Sequence, residues 1–382
     1  MTMLKLAPEP TFTVGIEEEY LLVSREDRDL VNEQPESMLT ECEASLEGQV
    51  SPEFLRCQIE VGTLVHDNLP DARVDLARLR TTVAGVAARH GMGLIAASTH
   101  PFAQWLAQKH TDKTRYNELN QDLQGVVRRL LICGMHVHVG IEDDDLRIDL
   151  LNQATYFLPH LLALSTSSPF WRGQNLGLRS YRLSVFNELP RTGVPDRFDS
   201  FAEYQRHVNV LVQAKLIEDA TKIWWDLRPS FRYPTLEMRV TDVCTRLDDA
   251  ICIAALFRCW LHMLFRLRRN NQRWRIYPRM LINENRWRAQ RYGFDEGLMD
   301  FGRGEIVPYR DLLDEILELT APSAEYFGCQ NEVEHARAIL ERGTSAHHQI
   351  RVHEEARAAG ASEHEALQAV VDFLIEETVR DL

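Results

Sequence analysis

Carboxylates and imidazoles recur at alternate positions in four short segments of the sequence that have the composition of β-strands. In a strand, successive side chains point to opposite faces, so residues two apart share a face. One face of each segment is apolar, while the other carries groups that can do chemistry. These groups are Glu17 and Glu19 in residues 14–22, Glu60 in residues 58–62, His136 and His138 in residues 135–139, and Glu237, Arg239 and Thr241 in residues 236–241.

The four glutamates come together on a single face if the four segments pair in one sheet. Like charges in contact repel by several kcal/mol at an intermediate dielectric constant, so such a cluster needs cations. Oxygen-rich ligand sets with one or two imidazoles suit Mg²⁺ or Mn²⁺. The pattern therefore predicts a divalent-metal site.

An ordinary half-exposed antiparallel sheet, whose outer face is polar by default, is the alternative explanation of each segment. Solvent alone would accept Ser, Thr or Lys at these positions. Four segments that carry Glu or His with almost no Lys favour the metal site. For His136 and His138 considered alone, structural histidines with satisfied hydrogen bonds are the better interpretation. The neighbouring Gly134 and Gly140 would let a ligand approach closely.

The elements that position these residues alternate irregularly along the chain, which predicts an α+β fold without the regular repeat of a doubly wound sheet. Hydrophobic periodicity predicts strands over residues 11–23, 93–98, 133–141, 181–188 and 235–242. It predicts helices over residues 69–90, 115–131, 149–164 and 201–219, and one that follows Thr245 as its N-cap. From about residue 309 to 382 the chain is predicted to be mostly helical, with residues 332–382 as a charged segment on the outside.

The bulk composition fits a single catalytic domain over residues 1–382. Hydrophobic residues make up 45% of the chain, enough for a large core, and the net charge of −14 disfavours nucleic acid as a partner. Seven scattered cysteines without a CxxC pair indicate free thiols in a reducing cytoplasm. The N-terminus lacks the apolar stretch of a signal peptide. The most apolar helix, around residues 251–265, is expected to be too short and too charged to span a membrane.

Several short motifs follow one another in order between about residue 11 and the mid-330s. They are GIEEEY at 15–20, EVGT at 60–63, THPF at 99–102, GMHVHVG at 134–140, WDLRP at 225–229, EMRVTD at 237–242 and NRWRAQRYG at 285–293. In this order they are specific, and the chain resembles the bacterial glutamate–cysteine ligase type 2 family of carboxylate–amine ligases. The resemblance implies a glutamine-synthetase-like fold, in which a strongly curved antiparallel sheet forms a funnel with helices packed on its outer face.

The resemblance also implies ATP-dependent ligation with two or three Mg²⁺ ions. Carried over residue by residue, the metal ligands are Glu17, Glu19, Glu60, Glu237 and His136, with Glu53 where family members commonly have Asp. The family's arginines fall on Arg182 and Arg239, which are assigned to catalysis and to nucleotide binding. His138 and Arg291 complete the predicted nucleotide-binding set.

Some of these residues have a structural alternative. Arg239 is equally well explained as an ion-pair partner of Glu237 on its own strand. Without the family resemblance, Arg182 is better explained as a structural or surface arginine, and Arg291 equally well as part of an ion pair between helices. Trp224 and Trp225 are candidates for stacking on adenine, although paired tryptophans more often lie in the core.

The predicted reaction converts a carboxylate into an acyl phosphate with ATP, after which an amine displaces phosphate and forms an amide. The substrates are a small amino acid and an amine, with glutamate and cysteine as one candidate pair. Two other functions stay open: a guanidino-kinase-like phosphotransferase of the same broad fold, and a nucleotide- and metal-binding protein without turnover. No nucleic acid or membrane is expected as a partner, and a homodimer is the default assembly.

Overall fold

The computed structural model describes residues 8–32, 34–111, 124–126 and 129–382. The strands are β1 (Val14–Ser24), β2 (Val50–Pro52), β3 (Gln58–Gly62), β4 (Met92–Ile95), β5 (Met135–Gly140), β6 (Phe170–Trp171), β7 (Gln174–Asn175), β8 (Thr192–Gly193), β9 (Trp224–Trp225), β10 (Leu227–Pro229), β11 (Thr235–Met238), β12 (Leu298–Asp300) and β13 (Glu305–Val307). One seven-stranded sheet has the order β10-β11-β5-β1-β3-β2, and β4 also pairs with β1. Every pairing within this sheet is antiparallel.

The central strand β1 has two faces with different roles. Ile16, Tyr20 and Leu22 are fully buried on the face that packs against helices, among them the helix Leu69–Arg89. Glu17 and Glu19 alternate with these residues and are only partly buried, on the opposite face. The predicted α+β class, an antiparallel sheet with helices on its outer face, is confirmed.

Glu18 lies on the covered face and is neutralised inside the core. Its carboxylate accepts hydrogen bonds from Arg80 at 2.6 and 2.8 Å and another from the Tyr20 hydroxyl. Arg80 also donates to the backbone carbonyls of Cys244 and Thr245, each at 2.8 Å. Both charged side chains are fully buried, so this ion pair joins the central strand to a helix and to the segment that follows β11.

Helices surround the sheet, and they dominate the chain from Tyr309 onward. Their bounds are Glu36–Leu46, Leu69–Arg89, Asp144–Ala154, Leu158–Ser165, Arg182–Phe186, Phe201–Gln213, Leu247–Arg269, Arg279–Tyr292, Tyr309–Phe327, Gln330–Arg342, Ser345–Ala358 and Glu363–Thr378.

The helix Leu247–Arg269 is longer than the sequence indicated, with 23 residues. Its length and composition would allow it to cross a membrane, but 89% of its most apolar window is buried inside the protein, as in the core helix of a globular domain. Its N-cap residue is Arg246, and the prediction of Thr245 was wrong. The Thr245 hydroxyl instead donates to the carbonyl of Ala96 at 2.6 Å, which joins the start of this helix to the end of β4.

Two further predictions were wrong. Residues 181–188 form the helix Arg182–Phe186 and not a strand, because their apolar residues are buried at helical and not alternate spacing. Residues 332–382 are less peripheral than expected, since Val370 and Leu374 are buried in the main core and the Thr378 hydroxyl accepts from the Ala96 amide at 2.9 Å. The predicted helix over residues 115–131 falls mostly outside the described residues.

Candidate active site

Strand pairing brings the predicted carboxylates and imidazoles onto one face of the sheet. In an antiparallel sheet, side chains of directly opposed residues lie on the same face and within reach of each other. The directly opposed pairs are Glu17–His136, Glu19–Glu60 and His138–Glu237. Four neighbouring strands, β3, β1, β5 and β11, therefore supply one continuous polar surface.

This surface forms a wall of a cavity of about 420 Å³. Every predicted site residue except Arg291 lines it. Arg291 donates instead to the backbone carbonyl of Gly177 and lies over the ring of Tyr292. Arg291 is thus placed outside the cavity, and its described partner is a carbonyl and not an acidic side chain of another helix.

The potential metal ligands form two groups along this wall. In each group, three ligand atoms lie within 4.8 Å of one another. The groups are Glu17, His138 and Glu237, and Glu19, Glu53 and Glu60. Three carboxylates, or two carboxylates with one imidazole, are ligand sets that suit Mg²⁺ or Mn²⁺.

In both histidines the buried ring nitrogen Nε2 makes no close hydrogen bond among the described residues; it lies 3.4 Å from the Glu17 carboxylate in His138 and 4.0 Å from the Glu19 carboxylate in His136. Nδ1 of His138 is bonded to the Thr235 hydroxyl at 2.9 Å, and Nδ1 of His136 lies 3.1 Å from Glu17. A ring nitrogen held by a second group while the other stays unpaired is the usual arrangement of a metal-binding histidine. Because His138 joins Glu17 and Glu237 in one group, it fits a metal better than the nucleotide role predicted for it.

The all-carboxylate group is electrostatically unfavourable without a cation. Burial, and then the nearby charge of Glu53, raise the pKa of Glu19 to about 7. Burial and Glu53 also raise the pKa of Glu60 well above its ordinary value. A divalent cation would replace the protons that these carboxylates hold, so the residues fit the metal that the pattern predicts.

The other group is already balanced by positive and polar partners. Burial raises the pKa of Glu17, but the neighbouring imidazoles of His136 and His138 outweigh it and hold that pKa well below its ordinary value. Burial likewise opposes ionisation of Glu237, yet Arg239 and Arg228 outweigh it and hold the pKa of Glu237 well below its ordinary value. Burial lowers the pKa of His136 to about 4, which keeps this ring neutral and able to accept a metal.

Arg228 is a site residue that the sequence analysis missed. It donates to both carboxylate oxygens of Glu237, at 2.8 and 2.9 Å, and to the backbone carbonyls of Thr221 and Ile223. Arg239 contacts the same carboxylate. A carboxylate has about four lone-pair positions, so three N–H donors leave room for one further ligand. The WDLRP motif contains Arg228, but only the pairing of β10 with β11 reveals its partner.

Arg182 lines the cavity from the first residue of the short helix Arg182–Phe186. It is buried, donates to the backbone carbonyl of Arg239 at 3.1 Å, and has no hydrogen-bond partner for its Nε among the described residues. A Cβ at Gly134 would lie only 2.4 Å from Nη2 of Arg182. Gly134 therefore makes room for this guanidinium, which is a different role from the ligand approach that the sequence suggested.

Asp242 holds the segment that carries Arg182. This fully buried carboxylate accepts from the Ser167 amide and from the Ser168 and Ser180 hydroxyls at 2.7–2.8 Å. Ser168 in turn accepts from the backbone amide of Arg182 at 3.1 Å. No role was predicted for Asp242, because its hydrogen-bond partners are more than 60 residues away in the sequence.

Sequence comparison identifies relatives along almost the whole chain. The model of the family described as glutamate–cysteine ligase family 2 (GCS2) matches residues 13–372. A Rhodospirillum rubrum protein provisionally named glutamate–cysteine ligase 2 is 66% identical over 378 residues, which cover 98% of this chain and 97% of that protein. A Jannaschia protein with the same provisional name is 56% identical over 371 residues, which cover 97% of this chain and 98% of that protein.

Two solved structures are similar in fold over most of this chain. One is a glutamate–cysteine ligase from Francisella tularensis in complex with AMP, with a TM-score of 0.69, 14% identity and coverage of 97% of this chain and 89% of that one. The other is a bifunctional glutathione synthetase from Pasteurella multocida, with a TM-score of 0.68, 16% identity and coverage of 94% and 52%. At these identities the similarity concerns the fold alone.

Proposed function

Since the chain belongs to glutamate–cysteine ligase family 2, a family of ATP-dependent carboxylate–amine ligases, we propose that it activates an amino-acid carboxylate as an acyl phosphate. A carboxylate oxygen attacks the γ-phosphorus of ATP, and ADP leaves. An amine then attacks the acyl carbon, phosphate leaves with the electrons of the C–O bond, and the amine loses a proton as the amide forms. Glutamate and cysteine are the substrate pair that the family name suggests.

The observation that carries this proposal is the pair of three-residue ligand groups on one sheet face, with arginines beside them. Glu17, His138 and Glu237 would hold one Mg²⁺, and Glu19, Glu53 and Glu60 another. Bound Mg²⁺ supplies neutralisation of the phosphate charge and alignment of the reacting oxygens. His136, between the groups, lies 3.1 Å from Glu17 and 4.0 Å from Glu19 and would orient both.

The arginines supply the remaining positive charge. The planar guanidinium of Arg239 would bind the γ-phosphoryl group, because its Nε has no hydrogen-bond partner among the described residues. The Nε of Arg182 also has no hydrogen-bond partner among the described residues, and Arg182 would bind the substrate carboxylate beside Glu19. Arg228 would act through Glu237, whose charge and orientation it maintains. The chain is proposed to work as one catalytic domain in the cytoplasm.

ADP release with Mg²⁺ tests the proposal, with amino acids and amines supplied in pairs that include glutamate and cysteine. Glu60→Gln and Glu237→Gln should each abolish turnover, because each removes a metal-binding charge from a different group. Glu41→Gln is the matched control, since Glu41 is a half-buried carboxylate on a helix and does not line the cavity. Circular dichroism should show that all three variants are folded.

The products separate this function from its alternatives. The ligase releases ADP and free phosphate in equal amounts and only when both substrates are present. A stable phosphorylated product without free phosphate would instead identify a phosphotransferase. Tight ATP binding without ADP formation, under every substrate pair, would identify a protein without turnover. Normal turnover in Glu60→Gln or Glu237→Gln would refute the assignment of the metal ligands.

A further inference from the structure

An aromatic hairpin stands at the cavity, between β10 and β11 and next to the ligand group that contains His138 and Glu237. We propose that Phe231 and Tyr233 in this hairpin bind the purine base of ATP by stacking. The inference rests on the proposed function, which supplies the nucleotide, and it assigns the base to one end of the cavity.

The exposure of these two rings indicates a binding role. Phe231 and Tyr233 are 58% and 56% exposed, and both line the cavity. Neither contributes to the hydrophobic core of the described residues. Paired exposed aromatic side chains at a concave surface are typical of ligand sites, and stacking on a ring is available to every nucleobase.

The hairpin holds its rings on a preformed turn. The backbone amide of Ser230 donates to the carbonyl of Thr235 at 3.0 Å, and the backbone amide of Thr235 donates to the backbone carbonyl of Tyr233 at 2.8 Å. The carbonyl of Pro234 accepts from the amide of Ile141 at 2.8 Å, which ties the turn to the end of β5. A turn that is ordered before binding loses little conformational freedom when the base arrives.

Positive charge is concentrated at the same end of the cavity. Arg228 and Arg239 contact Glu237, and Lys222 and Arg232 line the cavity from the neighbouring segment and from the hairpin itself. A triphosphate carries several negative charges and therefore binds where cations are dense. With its triphosphate on these cations, the same nucleotide would place its base beside the aromatic hairpin.

The ring of Tyr233 also lies close to a proposed metal ligand. The ring of Tyr233 is 6.1 Å from the ring of His138, edge to face. Trp224 lines the cavity as well, with Arg191 over its indole at 5.5 Å, whereas Trp225 packs on Phe198 in a separate small core. Of the two tryptophans that the sequence suggested for adenine, only Trp224 is placed to extend this wall.

The opposite end of the cavity is chemically different. There Phe186 lies against Arg182, and Phe54 follows the metal-ligand candidate Glu53. Arg182 and Arg239 are the cations whose charges act on Glu19, while Arg228, Lys222 and Arg232 add to the positive charge beside the hairpin, so a triphosphate would find fewer partners near Glu19. This end fits the amino-acid substrate better than the nucleotide.

The test measures binding of ATP and of inorganic tripolyphosphate by calorimetry, each with Mg²⁺. Tripolyphosphate has the phosphates without the base. Phe231→Ala and Tyr233→Ala should each weaken ATP binding about 10-fold while leaving tripolyphosphate unchanged, because each removes one stacking partner. The conservative variants Phe231→Tyr and Tyr233→Phe keep an aromatic ring and should retain the wild-type affinity for ATP. Trp287→Ala is the matched control, since Trp287 is 49% exposed on a helix outside the cavity.

The outcomes are separable from those of the proposed function. Unchanged ATP affinity in both alanine variants, or a parallel loss of tripolyphosphate affinity, overturns the base site. Wild-type protein that binds ATP no better than tripolyphosphate also overturns it, even if ADP is released in turnover. Wild-type protein that binds ATP through these rings but releases no ADP refutes the ligase and leaves the base site in place.

Discussion

Replacement of Arg80 by Met is expected to destabilise the protein strongly, although Arg80 does not line the cavity. The change leaves the fully buried carboxylate of Glu18 without its cation, and two backbone carbonyls without a donor. Removal of one partner from a buried ion pair typically costs about 3–5 kcal/mol of the free energy of unfolding. Because the lost contacts are all intramolecular, the cost should be present with or without substrates.

A second variant separates the buried charge from the rest of this cost. In Glu18→Leu/Arg80→Met no unpaired charge remains, so stability should partly recover. The carbonyls of Cys244 and Thr245 still lack the donors that Arg80 supplied, and the buried Tyr20 hydroxyl loses its acceptor, at about 1–3 kcal/mol each. The double variant should therefore lie between the wild type and Arg80→Met.

Urea unfolding followed by tryptophan fluorescence measures these differences as shifts of the midpoint at constant slope. Glu19→Gln is the informative comparison, because Glu19 is next to Glu18 in sequence but lies on the cavity face. Its neutralisation relieves repulsion from Glu53 and should leave stability unchanged or raised in metal-free protein, while turnover is lost. An Arg80→Met midpoint close to the wild type would refute the reasoning. So would an equal loss of stability in Glu19→Gln.

The remaining predictions concern the metal groups and the position of Arg182. In metal-free protein the folded-state pKa values of Glu19, about 7, and of Glu60 lie above the ordinary 4.5, so the folded state binds extra protons. The stability that these protons contribute is complete below pH 4.5 and is lost as the pH rises to about 7. Thermal unfolding midpoints measured in EDTA should therefore fall as the pH rises from 4.5 to about 7. Mg²⁺ should remove most of this fall. Identical plots of midpoint against pH with and without Mg²⁺ would contradict the prediction. Gly134→Ala should displace Arg182 and lower kcat on the order of 100-fold with a small change in unfolding midpoint. Gly85→Ala, whose added methyl meets no neighbouring atom, should leave kcat unchanged and should keep or raise the unfolding midpoint, because Ala is favoured over Gly inside a helix. Normal kcat in Gly134→Ala would show that Arg182 needs no such space.

The convergence of the glutamates was predictable because the period of a strand does not depend on its partners. Alternation in residues 14–22 is enough to separate Glu17 and Glu19 from Glu18. The family, which the ordered motifs predicted, and the α+β fold class are also confirmed. The stagger between strands was not predictable, since a shift of register leaves the pattern of each strand unchanged. The family resemblance implied His136 as a metal ligand, which stays a prediction, and the pairing of β5 with β11 additionally places His138 in one ligand group with Glu237.

The residues that balance the charges of the site were harder to predict than the charges themselves. A carboxylate beside other carboxylates is conspicuous in a sequence, because repulsion must be offset by something that the fold supplies. The positively charged partner of such a carboxylate can lie on any neighbouring element. Here Arg80 lies on a long helix, Arg182 on a short helix and Arg228 on strand β10. No spacing rule connects Arg80 to Glu18, 62 positions away. Sequence patterns therefore indicate where a site concentrates charge, while the tertiary fold decides which charges serve stability and which remain available to bind metal and nucleotide.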